Sequence, residues 1–210
     1  MGMWTDRVVP HLADRSLSTA PVMRLRTAAV AGLSGRVLEL GYGSGLNTDL
    51  YPPEVTAVDA VEPSDVGWTM SAGRRERARV PVERVGLDGQ RLSAPDGRYD
   101  AVLTTFTLCT IPDPALALAE VRRVLAPGGT LHLLEHGLSS DERVARWQRR
   151  LDPLQRTVAG GCHLSRDVPA LVEAAGLTEV ALRAEYLPGP ALSHPWGYVY
   201  RGVYRAVEAA

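Results

Sequence analysis

"VLELGYGSG", residues 37–45, sets three glycines into five positions directly behind an apolar run. Glycine loses more backbone freedom on folding than any other residue, so this spacing needs a reason. Gly41, Gly43 and Gly45 follow "RVLEL" (36–40), which reads as a buried strand. In open α/β sheets, ligands bind outside the carboxyl ends of the strands, where the strand order reverses. A turn without side chains at that place lets a ligand reach the main chain. A plain tight turn is the alternative. A dinucleotide fingerprint G-x-G-x-x-G needs a glycine at 46, where Leu46 stands. G-x-G-x-G preceded by Glu39 suits a ligand with no pyrophosphate to cradle.

The rest of the chain alternates in the same way. "EVTAVDAV" (54–61), "VPVERV" (80–85), "YDAVLTTF" (99–106) and "GTLHLLEH" (129–136) read as further strands. Helical patterns lie between them. "SDVGWTMSAGRRERA" has Ser64 or Asp65 placed to cap it. "DPALALAEVRRVLAPGG" has Asp113 as cap, Pro114 in the first turn and an apolar stripe of Leu116, Leu118, Val121, Val124 and Leu125. Pro127-Gly128-Gly129 reads as its stop. Strands and helices in this order imply right-handed crossovers and a parallel sheet. The tail differs: after the helical "SRDVPALVEAAG", the runs "LTEVALRAEYL" and "WGYVYRGVYRAV" predict a closing antiparallel hairpin.

Bulk properties narrow the function classes. A chain of 210 residues suits one domain. Its 23 basic residues, all arginine, nearly balance 24 acidic ones, so no basic excess advertises a nucleic acid or an anionic membrane surface. Two cysteines, Cys109 and Cys162, make no disulfide framework, and no Cys/His spacing suggests a metal. A reducing, cytoplasmic compartment is expected. "MGMWTDRVVPHLADR" carries charge throughout and reads as neither signal peptide nor membrane span. Monomer and homodimer both remain open.

Two acidic positions extend the ligand argument. Glu62 stands at the carboxyl edge of the second strand, which Pro63 ends, where an acid can accept both hydroxyls of a ribose. A solvated loop carboxylate is the alternative, and Asp59, inside the strand, is the weaker competitor. In "GLDGQ", Asp88 suits an adenine amino group, with the backbone at Gly89 and Gln90 meeting the ring; a simple turn residue is the alternative.

Together, "LELGYGSG", "AVEPS", "DGRYDAV" and "VRRVLAPGG" resemble the ordered motifs of class I S-adenosylmethionine-dependent methyltransferases, over residues 36 to 136. The resemblance implies an α/β, Rossmann-like fold with helices on both faces of a seven-stranded sheet, ordered 3-2-1-4-5-7-6 with strand 7 antiparallel. It implies S-adenosyl-L-methionine as cofactor and S-adenosyl-L-homocysteine as product. Gly41, Gly43 and Gly45 would wrap the methionine portion, Glu62 the ribose, and Thr105 to Leu108 the side facing the methyl group. Tyr42 departs from the family, whose members often carry a small residue or cysteine there; its ring narrows the pocket or flanks the methionine part.

"YPPEVT", "TTFTLCTI", "LLEHG", "LDPLQRTVAGGCHLSRD" and "WGYVYRGVY" are also similar to the methyltransferase-like group whose animal members are microsomal alkyl thiol S-methyltransferases. Those members carry an N-terminal hydrophobic anchor, and the charged start of this sequence leads to the expectation of none here. The likeness implies a small, rather apolar acceptor, a thiol first. A nitrogen or oxygen of a metabolite, quinol or lipid headgroup is the rival acceptor, and a non-catalytic cofactor-binding module the rival class. His136, at the end of the fifth strand, is the candidate base, against a histidine that only bonds backbone. His163 lines the pocket or belongs to a loop, and Asp152 and Arg166 pair or cap nearby. Cys109 borders the pocket as a small buried residue and Cys162 is a loop thiol; neither is given a covalent role. The acceptor pocket is expected from the segment around Trp4 and from 137–165, including Trp147 and Leu154. The layout is thus one domain: a helical lid (1–35), a cofactor core (36–136), an acceptor-lining insertion (137–176) and closing strands (177–210).

Overall fold

The computed structural model describes residues 4–206. A π-helical turn at Trp4–Val8 leads into α1 (Val9–Leu17) and α2 (Ala20–Val30). The first half continues with β1 (Gly35–Leu40), β2 (Val55–Val61), α3 (Asp65–Met70), α4 (Ala72–Glu76) and β3 (Val82–Gly86). Then come β4 (Tyr99–Thr105), α5 (Pro114–Val124), β5 (Leu125–His136), α6 (Glu142–Val158), α7 (Val168–Ala174), β6 (Leu177–Tyr186), α8 (His194–Gly197) and β7 (Tyr198–Ala206). The seven strands form one sheet in the order β3-β2-β1-β4-β5-β7-β6. β7 runs antiparallel to both neighbours, with His136 opposite Val199. This is the expected topology, and it gathers the carboxyl ends of β1, β2, β4 and β5 on one edge.

Side chains alternate across a strand, so each central strand feeds two cores. Leu38 and Leu40 of β1 join Val102, Leu118, Val121, Val124, Val168 and Val172. Val37 joins Val30, Leu33, Tyr51, Val58, Ala101 and Leu103. Helices α5 and α7 therefore cover one face, and the end of α2 covers the other.

Three local expectations are corrected. In α5, the Asp113 side chain does accept from the backbone of Ala115 and Leu116, at 3.0 and 3.2 Å. The buried stripe, however, is Ala117, Leu118, Val121 and Val124, while Leu116 is 54% exposed. Position 116 lies about 200° around the helix from Leu118, on the solvent side. The helix also stops earlier than Pro127: Leu125 is already extended at ψ 131°, and Tyr99↔Leu125 and Ala101↔Thr130 pairing leaves Pro127-Gly128-Gly129 as a bulge inside β5. Finally, the helix after β2 breaks at Ser71 into α3 and α4, with Ser64 as the cap that accepts from Gly67 at 3.1 Å.

Leu118→Ala removes a fully buried side chain and is expected to cost about 2–5 kcal/mol. Leu116→Ala is expected to change stability by no more than about 0.5 kcal/mol. Denaturant unfolding of both variants checks the assignment of the faces.

Candidate active site

All three glycines of the first turn have positive φ: 71° at Gly41, 57° at Gly43 and 79° at Gly45. Their surroundings differ. A Cβ on Gly41 would collide with the Thr107 side chain, and one on Gly45 would meet Thr48 Oγ1 at 2.9 Å and the Tyr42 ring at 3.1 Å. A Cβ on Gly43 would meet nothing nearer than the Gly41 carbonyl at 4.0 Å. Packing thus accounts for Gly41 and Gly45, whereas Gly43 presents bare main chain to open space.

Directly behind that main chain is Glu62, only 5% exposed. Its Oε2 accepts from Gly43 N at 2.6 Å and its Oε1 from Ser64 N at 2.7 Å. Burial pushes its pKa up, against those two donors. Pro63, just beyond, is exposed. Tyr42 is buried, its hydroxyl 2.5 Å from Thr48 Oγ1 and its ring 5.6 Å from that of Trp68. Asp88 is exposed and caps its own turn, accepting from Gln90 N at 2.9 Å and Gln90 Nε2 at 3.1 Å. Gln90 in turn accepts from Asp113 N at 2.8 Å, which ties this loop to the start of α5. Gly89 faces Leu40 and Ile111. Asp59 is committed elsewhere, to Arg36 at 2.6 Å and the Tyr99 hydroxyl at 2.9 Å.

A buried polar cluster lies beneath the turn. Glu39 accepts from Asn47 Nδ2 at 2.7 Å and from the Tyr51 hydroxyl. Burial pushes its pKa up to about 7, against Tyr51, Asn47 and Arg26. Arg26, from α2, donates to Asn47 Oδ1 and Thr105 Oγ1, both at 2.9 Å, and its own pKa is lowered to about 10 by burial. Thr105 Oγ1 also accepts from Asn47 at 3.0 Å, so this hydroxyl is bound into the cluster. On the outer side, Asp14 of α1 accepts from Ser44 Oγ at 2.6 Å and from Arg74 at 3.0 Å, which clasps the N-terminal helix to the turn.

The loop after β4 is fixed by Glu135. This buried carboxylate accepts from Thr104 Oγ1 at 2.6 Å, from Thr107 N at 3.0 Å with each oxygen, and from Cys109 N at 3.4 Å. Burial pushes its pKa up to about 7. Phe106 adopts φ 55°, a strained value for a residue with a side chain, and sits under the Arg26 guanidinium. Leu108 turns its side chain into the core, and its carbonyl accepts from Arg166. The buried Cys109 offers its carbonyl to His163 N at 2.8 Å. The 159–166 segment is thereby stitched to the β4 loop.

His136 ends β5 at 5% exposure. Its Nδ1 lies 3.9 Å from Cys162 Sγ, and its buried Nε2 has no partner among the described residues. His163 instead faces Asp152 at 3.2 Å. Asp152 also accepts from Leu164 N, Ser165 N and Ser165 Oγ at 2.7 to 3.0 Å, capping the loop. Arg166 does not pair with Asp152; it reaches the Leu108 and Pro112 carbonyls. Trp4 donates from Nε1 to the Val158 carbonyl at 2.9 Å, bringing the N-terminal segment to the end of α6. Trp147 and Leu154, 56% and 62% exposed, lie on the solvent side of α6, because Ala145, Gln148 and Asp152 take the buried side.

The approach of Cys162 to His136 is shown by the structure alone, whereas sequence reasoning brought Gly43 and Glu62 together. It missed Glu135, Arg26, Asn47 and Asp14. Glu135 had a visible signal, an acid among the leucines of "LLEHG"; single polar residues such as Arg26 and Asn47 carry none.

The Methyltransferase domain family profile matches residues 13–182. The rat protein named thiol S-methyltransferase TMT1B is 34% identical over 157 residues, covering 73% of this chain and 64% of its own. This chain therefore spans under two thirds of that relative. The phosphatidylethanolamine N-methyltransferase of Cereibacter sphaeroides is 33% identical over 145 residues, 64% of this chain and 68% of its own. A solved Bacillus halodurans structure shares the fold at TM-score 0.70 and 16% identity, over 87% of this chain and 97% of its own. Among the described residues no helix is long and apolar enough to cross a membrane, and no cluster of His, Cys, Asp or Glu could hold a metal ion.

The raised pKa of Glu39 fixes the sign of a stability test. The folded form holds its proton up to about pH 7, whereas the unfolded chain releases it near 4.5. The Glu39 contribution is therefore fully present below pH 4.5 and lost as pH rises through 7. Glu39→Gln, uncharged throughout, is expected to lose less stability than wild type between pH 5 and 8. Parallel slopes in denaturant titrations would contradict this.

Proposed function

This chain belongs to the methyltransferase-domain family, its cofactor is S-adenosylmethionine, and from that premise we propose that it methylates a small, rather apolar acceptor, a thiol before any other. The observation that carries the donor site is Gly43: its bare, positive-φ main chain faces open space and is backed by a buried carboxylate. The thiol preference is supported by the relative named thiol S-methyltransferase, 34% identical over 73% of this chain.

Bound at this turn, S-adenosylmethionine supplies a methyl carbon made electrophilic by its sulfonium. Gly41, Gly43 and Gly45 offer main chain to its methionine end. Each oxygen of Glu62 holds one backbone N–H and keeps a second lone pair, so two ribose hydroxyls can donate to it. Asp88, Gly89 and Gln90 border the adenine, and the backbone of Thr105 to Leu108, held by Glu135, flanks the methyl side. Glu39 and Tyr42 support the turn from below. Much of the protein's contribution is holding donor and nucleophile in line.

The acceptor determines what His136 must do. A thiol with pKa near about 8.5 is already partly thiolate at neutral pH, whereas an alcohol is not. The unpartnered Nε2 of His136 suits a proton acceptor. Trp4, Cys109 and His163 border the same region in this reading, and Trp147 lies at its outer rim. The second reading keeps the donor site and moves the methyl group to nitrogen, because a 33% identical relative is named a phosphatidylethanolamine N-methyltransferase.

An acceptor series read by S-adenosylhomocysteine formation tests the proposal. Small alkyl thiols are expected to turn over, and a matched phenol and an amine headgroup analogue to turn over far more slowly. His136→Ala is expected to slow thiol methylation modestly at pH 7, with recovery toward the thiol's own pKa. Removing a base that an alcohol truly needs would cost roughly 10²- to 10⁴-fold at every accessible pH. Turnover of the amine or phenol with none of the thiols would overturn the thiol assignment.

A further inference from the structure

One nucleophilic group near the acceptor region has no role in the chemistry above. Cys162 lies in the loop between α6 and α7, half-buried, with its sulfur 3.9 Å from His136 Nδ1. His136 is 95% buried by its 5% exposure, and its other nitrogen is buried without a partner among the described residues. A buried imidazole nitrogen left unpaired costs free energy unless a ligand completes it. The tautomer is set by whatever the opposite nitrogen meets. Here that neighbour is a sulfur.

We propose that Cys162 is a positioning residue for His136: as a thiolate it accepts the Nδ1 proton and so keeps the buried Nε2 lone pair free for the acceptor's proton. This rests on the methyl-transfer reading of the site. The acceptor's S–H bond breaks, its electron pair stays on sulfur, and the proton rests on Nε2 until solvent takes it. No oxidant or further reactant is needed.

The surroundings favour a thiolate. Cys109 of the β4 loop, His136 of β5 and Gln155 of α6 act on Cys162. Cys109, His136 and Gln155 together hold the Cys162 pKa down to about 5, against burial. The Cys109 thiol is pushed up by Cys162 and by its own burial. Arg166 stands near both sulfurs, and the Glu135 carboxylate acts on Cys109 and Arg166. Farther along the loop, Arg166, Asp152 and Arg156 act on His163, and Asp152 on Arg166. A lone surface thiol ionises near about 8.5, so at neutral pH the pair sits in a different protonation state from an ordinary loop cysteine.

Two measurements test the proposal without sharing a failure. The first is the rate of Cys162 alkylation by iodoacetamide against pH, followed by mass spectrometry on the whole protein. The inflection is expected well below the ordinary thiol range in wild type and displaced upward in His136→Asn or His136→Gln. The second is turnover of an alkyl thiol. Cys162→Ala is expected to lower kcat at pH 7 by no more than His136→Ala does, and to shift the acid limb of the pH profile. KM for S-adenosylmethionine should stay unchanged, and Cys162→Asp, which restores an anion, should recover part of the rate. An ordinary alkylation inflection, or one indifferent to both His136 variants, overturns the pairing. Wild-type kcat and pH profile in Cys162→Ala overturn the positioning role. An inflection that does depend on His136, in a protein that methylates no thiol, supports the pair and defeats the thiol reading instead.

Discussion

The Glu62 carboxylate is the joint on which the site depends. It ties the amide of Gly43, in the turn after β1, to the amide of Ser64, at the start of α3. Without it, two backbone donors at adjacent strand ends would be left buried or frayed, at a cost of about 1–3 kcal/mol each. A carboxylate is suited to the task because charge-assisted bonds to N–H groups are roughly twice as strong as neutral ones. Its raised pKa records the opposing cost of burial.

Two more carboxylates repeat this device along the same edge of the sheet. Glu39, near the end of β1, gathers Asn47 and Tyr51; Glu135, next to last in β5, gathers Thr104, Thr107 and Cys109. Each is pushed up to about 7 by burial. The loops that meet there have little regular structure of their own, so side chains projecting from rigid strands must hold them. Arg26 adds the opposite charge from α2, which couples the N-terminal helices to the floor of the site. Buried polar networks of this kind are favourable only when every member is satisfied. His136 Nε2 is the exception nearest the chemistry.

Much of this architecture was legible in the sequence, and its limits have physical causes. The short apolar runs in β1, β2, β4 and β5 and the glycine and proline punctuation located the strands within a few residues. The order of the strands came from the family resemblance, since periodicity carries no information about neighbours. Leu116 was misread because an apolar residue beside a helical stripe looks the same whether it faces core or solvent. The Pro127-Gly128-Gly129 bulge was misread because glycines that end a helix also serve an irregular strand. Glu62 was found through its place at a strand end. The Cys162–His136 contact had no local signal: the two residues are distant in sequence and meet only because the loop after α6 folds back over β5.

The central claim is that Gly43 and Glu62 together form the donor site. Calorimetric titration of S-adenosylmethionine into wild type, Glu62→Ala and Gly43→Val tests it most directly. Wild type is expected to bind, Glu62→Ala to bind about 1–3 kcal/mol more weakly, and Gly43→Val to remain folded without measurable binding. Unchanged affinity in both variants would contradict the account.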